Sequence, residues 1–177
     1  MNDKIIAAFL ARQYEDGMAL ARDSDLLDLE PIGPPPVQRY VARFHCSGLC
    51  RTPAGDITES PGAAVGIYFP DDYLRRIDPY QVLVWLGPPD AWHPNISNQA
   101  PLVCLGRLGP GTRLVEILYQ LYEMITYQRY ATHDALNHDA AAWARQNQDR
   151  FPVDARPLKR RSLQLKIETQ PAAGGAS

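Results

Sequence analysis

The chain has 177 residues, enough for one domain that buries about two-thirds of the surface its unfolded form would expose, so it needs neither disulfides nor a metal to fold. A hydrophobic share of 45%, a charged share of 21% and a formal net charge of -2 give no overall attraction to nucleic acid or to an anionic membrane, which leaves a protein or a small molecule as the expected partner. No apolar run has the length of a membrane span, Met1-Asn2-Asp3-Lys4 lacks a secretory signal's basic start, and three cysteines leave at least one thiol free in a monomer, so a reducing, cytoplasmic setting is expected.

Ile5, Ile6, Phe9, Leu10, Met18 and Leu20 recur with charges between them, which predicts an amphipathic helix from about Asp3 to Arg22. Gly33-Pro34-Pro35-Pro36 breaks the chain after a short segment, Leu26 to Ile32. From Arg39 the pattern alternates, with Tyr40, Ala42, Phe44 and Cys46 on one face of a half-buried strand. A turn-rich stretch from Pro53 to Gly62 leads to a second alternating run at Val65, Ile67 and Phe69, and Tyr80 to Leu86 reads as a further strand. Short links between such runs imply an antiparallel meander.

Five prolines between Gly87 and Gly111 predict a long irregular loop, which is more often functional than decorative. Thr112 is the expected N-cap of the strongest helix, where Leu114, Ile117, Leu118, Leu121, Met124 and Ile125 make a broad apolar face. A last helix is expected from about Asn137 to Arg150, ending before Phe151-Pro152. Residues 1–157 therefore read as one α+β domain. Residues 158–177 read as a tail, basic at Lys159-Arg160-Arg161 and of low complexity at its end, where Gly174-Gly175 is treated as part of that bias.

The chemistry concentrates in Trp92-His93-Pro94-Asn95-Ile96-Ser97-Asn98-Gln99-Ala100-Pro101-Leu102-Val103-Cys104-Leu105, which sets a His and an Asn ahead of a cysteine within one loop. A free thiol titrates near about 8.5, so only a small part is thiolate at neutral pH, a reactivity suited to a carrier that accepts an acyl group and holds it against water. A hydrolase instead wants a strong base beside the sulfur. His45, Cys46 and Cys50 make a metal-like spacing but fall short of a closed set. Four residues of strand span roughly 13 Å, too far for a local disulfide, and Cys46 shares its face with Tyr40 and Phe44, so core packing is favoured.

The His93-Pro94-Asn95 segment, followed after a short loop by Val103-Cys104-Leu105, resembles the active-site motif of ubiquitin-conjugating enzymes. Phe69-Pro70-Asp71-Asp72-Tyr73 with Pro79 and Val82, and Asp134-Ala135-Leu136-Asn137 with Ala140-Ala141, resemble that family's flanking stretches in the same order. The resemblance implies the family's fold: an N-terminal helix, a four-stranded antiparallel meander, an active-site loop and C-terminal helices. It implies that Cys104 takes a ubiquitin-like modifier from an activating enzyme as a thioester and passes it to an acceptor lysine of a protein substrate, with no metal or organic cofactor. Asn95 would then donate to the developing oxyanion or brace the loop, and loss of one such donor typically costs about 2.7–4 kcal/mol. Asp134 would orient the incoming lysine, His93 and Pro94 would hold the loop, and the first helix would meet the activating enzyme.

Other readings of these residues stay open: Cys104 as a core cysteine, Asn95 as a turn-closing residue, Asp134 as a helix-entry residue, the whole chain as an inactive adaptor, or a cysteine hydrolase using His93 or His133. Departures from the family pattern bear on partners. Tyr73-Leu74-Arg75-Arg76 lacks the usual Pro-Phe, Leu108 to Thr112 is shorter than the usual segment after the cysteine, and Ala100-Pro101 stands where a glycine is expected. The first two put a ring-type ligase in doubt. Together with Ala-, Arg- and Pro-rich usage they suggest a bacterial conjugation pathway without a separate ligase, for which antiviral defence is a candidate setting.

Overall fold

In the computed structural model, which describes residues 2–106 and 108–160, the first apolar periodicity becomes helix α1 (Asn2–Arg22), with Leu10 and Leu20 turned into the core. The alternating runs become β1 (Leu27–Ile32), β2 (Arg39–Phe44) and β5 (Ala63–Tyr68). These join β6 (Leu83–Gly87) in one antiparallel sheet of order β1-β2-β5-β6. Tyr40, Ala42, Phe44 and Cys46 are each at most 1% exposed, as the period of two requires when one face of a strand lies against helices.

Four features differ from the sequence expectation. The stretch between β2 and β5 holds a separate hairpin, β3 (Gly48–Arg51) with β4 (Ile57–Ser60), whose arms are too short to show alternation. Part of the expected fourth strand is a helical turn, α2 (Pro79–Val82), because Asp78 accepts from the Tyr80 N–H at 3.0 Å and Pro79 suits a first helical position. Helix α3 (Leu114–Ile125) is capped by Arg113, whose N–H donates to Glu116 Oε2 at 2.9 Å, while the Thr112 hydroxyl bonds to Gly109 instead. Helix α4 (His138–Gln146) is shorter than expected, and a single 3-10 turn at Gln148–Arg150 completes the run.

Helices α1 and α3 cross on the buried face of the sheet. Gly17 marks the crossing, since a Cβ there would sit 2.7 Å from Leu114 Cδ2. Buried Gln13 accepts from the Leu114 N–H at 2.8 Å, satisfying one of the orphan donors at the start of α3. The Phe69-Pro70 stretch serves packing: Phe69 and Tyr73 are fully enclosed with centroids 4.7 Å apart, and the Tyr73 hydroxyl donates to the Thr112 carbonyl at 2.8 Å. A second, smaller core of Leu49, Trp92, Tyr127, Ala140 and Ala144 joins the hairpin to α4. Residues 158–160 lie against the body, with Leu158 2% exposed. The remainder of the expected tail, residues 161–177, lies outside the described residues. No helix among the described residues is long and apolar enough to cross a membrane.

Candidate functional site

The irregular chain between β6 and α3 is held by short-range bonds despite its prolines. Its arms meet where Ile96 bridges Val103, Ser97 N–H donates to Leu102 C=O at 3.0 Å, and Trp85 N–H donates to Pro101 C=O at 3.0 Å. Ser97 Oγ accepts from the Gln99 and Ala100 N–H groups, which closes the tip. The loop is therefore a narrow hairpin that returns Cys104 to Asn95.

Asn95, 5% exposed, holds Cys104 from both sides of its backbone. Its C=O accepts from the Cys104 N–H at 2.9 Å, and its Nδ2 donates to the Cys104 C=O at 2.9 Å. Its Oδ1 meanwhile accepts from the Ala131 N–H at 2.9 Å. The side-chain partners lie 9 and 36 residues away, so this amide links two segments and does not close a local turn. Cys104 is half-buried, and its Sγ accepts from the Gly106 N–H at 3.4 Å.

His93 sits beneath the loop, 2% exposed, with its ring centroid 4.4 Å from that of Tyr127. Its Nδ1 accepts from the Asn95 N–H at 3.0 Å, so that lone pair is occupied. Burial pushes the imidazole down to about 3, and the nearby Met124 carbonyl, not placed for a well-formed bond to Nε2, opposes only part of this. A ring that stays neutral with its basic nitrogen engaged is a loop support and a poor general base. Tyr127, which packs on it, adopts a left-handed φ of 59° at the end of α3 and donates its hydroxyl to the Trp92 carbonyl.

Two bonds stitch the segment carrying Asp134 to this motif. Asn95 takes the Ala131 N–H, and buried Pro94 accepts at its carbonyl from the Asn137 N–H at 3.1 Å. Asn137 then caps α4 by accepting from Ala140 N–H at 3.0 Å. Asp134 and His133 stand exposed between the two stitches. Among the described residues Cys104 Sγ bonds to a backbone amide, and neither His93 nor His133 bonds to it. Cys104 borders a groove of about 620 Å³ whose lining also brings together Asn95, Gln120, Met124, Arg129 and Tyr130. Sequence reasoning did not single out Gln120, Arg129 or Tyr130. Their one signal is position, since Gln120 lies among the polar residues of α3 and the other two come just after its end.

The metal-like trio is dispersed. Cys46 lies in the core with its thiol pushed up to about 12 by burial, His45 Nε2 is 2.7 Å from Asp28 Oδ2 at the surface, and Cys50 Sγ lies 3.5 Å from Thr58 Oγ1. No group of three metal-ligating side chains occurs among the described residues.

No family model matches the sequence, and no curated protein matches it. Among solved structures the chain is similar to the conjugating domain of a Toxoplasma gondii ubiquitin conjugating enzyme, with 19% identity, 81% of this chain and 91% of that chain covered, and a TM-score of 0.51. At that identity the likeness is one of fold. The chain has the ubiquitin-conjugating fold: an N-terminal helix, an antiparallel sheet and C-terminal helices.

Proposed function

We propose that this chain is a carrier that accepts a ubiquitin-like modifier as a thioester on Cys104 and hands it to a lysine amine. The observation that carries the reading is the clamp on Cys104: both its backbone groups bond to Asn95, and the two residues line one groove. In the first step the Cys104 thiol gives its proton to solvent, Sγ attacks the carbonyl carbon of a thioester on an activating enzyme, the new C–S bond forms, and the old C–S bond breaks as the activating enzyme's thiolate leaves. In the second, a lysine amine attacks the same carbon. The C–N bond forms, the bond to Cys104 Sγ breaks, and the proton lost by the amine passes to solvent or to the departing thiolate.

The surroundings suit holding the acyl group. His93 stays neutral with Nδ1 engaged, so the loop puts no strong base beside the sulfur to activate water. Asn95 Nδ2 has a second hydrogen beyond the one given to Cys104 C=O, available to an oxyanion in the groove. Asp134, exposed on the stitched segment, supplies a carboxylate for the lysine ammonium, and the α1 face serves the activating enzyme. The setting we infer is a bacterial pathway of activating enzyme, carrier and modifier, without a ring-type ligase.

The test is charging with the cognate activating enzyme, ATP and modifier. The native chain gains a thiol-sensitive adduct, Cys104→Ser a thiol-resistant ester and Cys104→Ala none. An uncharged native chain beside a charged activating enzyme refutes the carrier reading and leaves a binding adaptor.

A further inference from the structure

Strand β3 is tied to the chain that leads into the Cys104 loop. Arg51 N–H donates to Asp90 C=O at 2.9 Å, Trp92 N–H donates to Leu49 C=O at 2.8 Å, and Cys50 bridges Ala91. This pairing sets the Arg51 guanidinium over the Trp92 ring, 5.2 Å from its centroid. The chain after α4 brings a second such pair to the same place. Arg150 N–H donates to Asn147 C=O at 3.1 Å and Asn147 Nδ2 donates to Trp143 C=O at 2.8 Å, a fold-back that leaves Arg150 over the Trp143 ring, 5.0 Å from its centroid.

Where the hairpin meets α4 these side chains border a groove of about 360 Å³, whose lining includes Arg51, Asp56, Ile57, Trp92, Trp143 and Arg150. It shares no lining residue with the groove beside Cys104. Both exposed guanidinium groups are positioned by indole rings, and among the described residues neither forms an ion pair, even though Asp56 lines the same groove. A guanidinium resting on an aromatic face keeps the N–H donors at its edge free for a carboxylate. Trp92 is 8% exposed, and its Nε1–H has no acceptor among the described residues.

We propose that this groove binds an acidic segment of a protein partner, whose carboxylates are taken by Arg51 and Arg150. Two cations on separate elements suit carboxylates spaced along a peptide better than one compact charge. Asp56 adds to that preference, because it repels a dianionic phosphate more strongly than a single carboxylate. Nucleic acid is disfavoured for a different reason: base stacking needs an open aromatic face, and both indoles already carry a guanidinium. Trp92 adjoins His93, so a partner seated here lies next to the motif that braces Cys104.

The test follows the indole N–H signals of the isotope-labelled full chain during titration with a blocked Glu-Gly-Glu-Gly-Glu peptide. The signals of Trp92 and Trp143 shift saturably, while that of Trp85, whose Nε1 donates to the Pro88 carbonyl outside the groove, stays in place and reports an intact fold. Arg51→Gln combined with Arg150→Gln weakens binding at least about tenfold, and Arg75→Gln, an exposed arginine elsewhere, leaves it unchanged. Absence of a saturable shift, equal binding of the glutamine counterpart of the peptide, or full affinity in the double variant overturns the proposal. Tighter binding of inorganic triphosphate or of a single-stranded oligonucleotide than of the peptide also overturns it, in favour of a phosphate ligand.

Discussion

Asn95→Ala removes the donor to the Cys104 carbonyl and the acceptor for the Ala131 N–H in one change, at a position only 5% exposed. Two such bonds at about 1 kcal/mol each, plus a share of the penalty for partners left unpaired, amount to roughly 2–3 kcal/mol. For a chain of this size that lowers Tm by about 5–10 °C. Asn95→Asp keeps an oxygen for Ala131 but sets a carboxylate oxygen against the Cys104 carbonyl in a buried site, so a loss at least as large is expected near neutral pH. The assay pairs thermal melting with separate rates of charging from the activating enzyme and discharge onto free lysine. If Asn95 braces the loop, Asn95→Ala lowers Tm and slows both steps. An unchanged Tm with discharge alone slowed about 10²–10³-fold refutes the brace and assigns Asn95 to the oxyanion.

The Asp154 carboxyl is held down to about 2, chiefly by its bonds to the Arg156 guanidinium and with help from the Ser47 N–H. A depressed carboxylate stabilises the fold above its unfolded value and loses that contribution as pH falls, so about 2 kcal/mol disappears between roughly pH 4 and pH 2. Urea unfolding across that range should show the loss in the native chain and a flatter profile in Asp154→Asn. Gln13→Leu leaves the Leu114 N–H buried without its acceptor and should cost about 1–3 kcal/mol by the same measurement. Iodoacetamide followed by peptide mass mapping should modify Cys104 and spare core Cys46 in the folded chain. Asp134→Ala should slow discharge onto lysine near neutral pH while leaving charging from the activating enzyme unchanged.

Periodicity makes the buried faces legible in the sequence: Tyr40, Ala42 and Phe44 on β2, and Leu114, Ile117, Leu118 and Leu121 on α3, all lie in the core. The loop residues Cys104 and Asn95 likewise line one groove. Contacts made by single side chains across long separations left no such trace. The pairing of Asn95 with Ala131, the reach of Gln13 to α3, and the ring of Tyr127 under His93 have no period and no local motif. Arms of four residues hid the β3–β4 hairpin for a related reason, since alternation needs a longer run to show. At Asp78-Pro79 two local signals competed, and the cap prevailed over the apolar run after it.

Single-turnover discharge of the isolated, charged chain, followed by intact mass and peptide mapping, bears most directly on the role of Cys104. The carrier account predicts a modifier joined through the Cys104 peptide that persists without an acceptor and moves to free lysine as an amide. Release of the free acid at the same rate with and without lysine, or an adduct mapped to another residue, contradicts it.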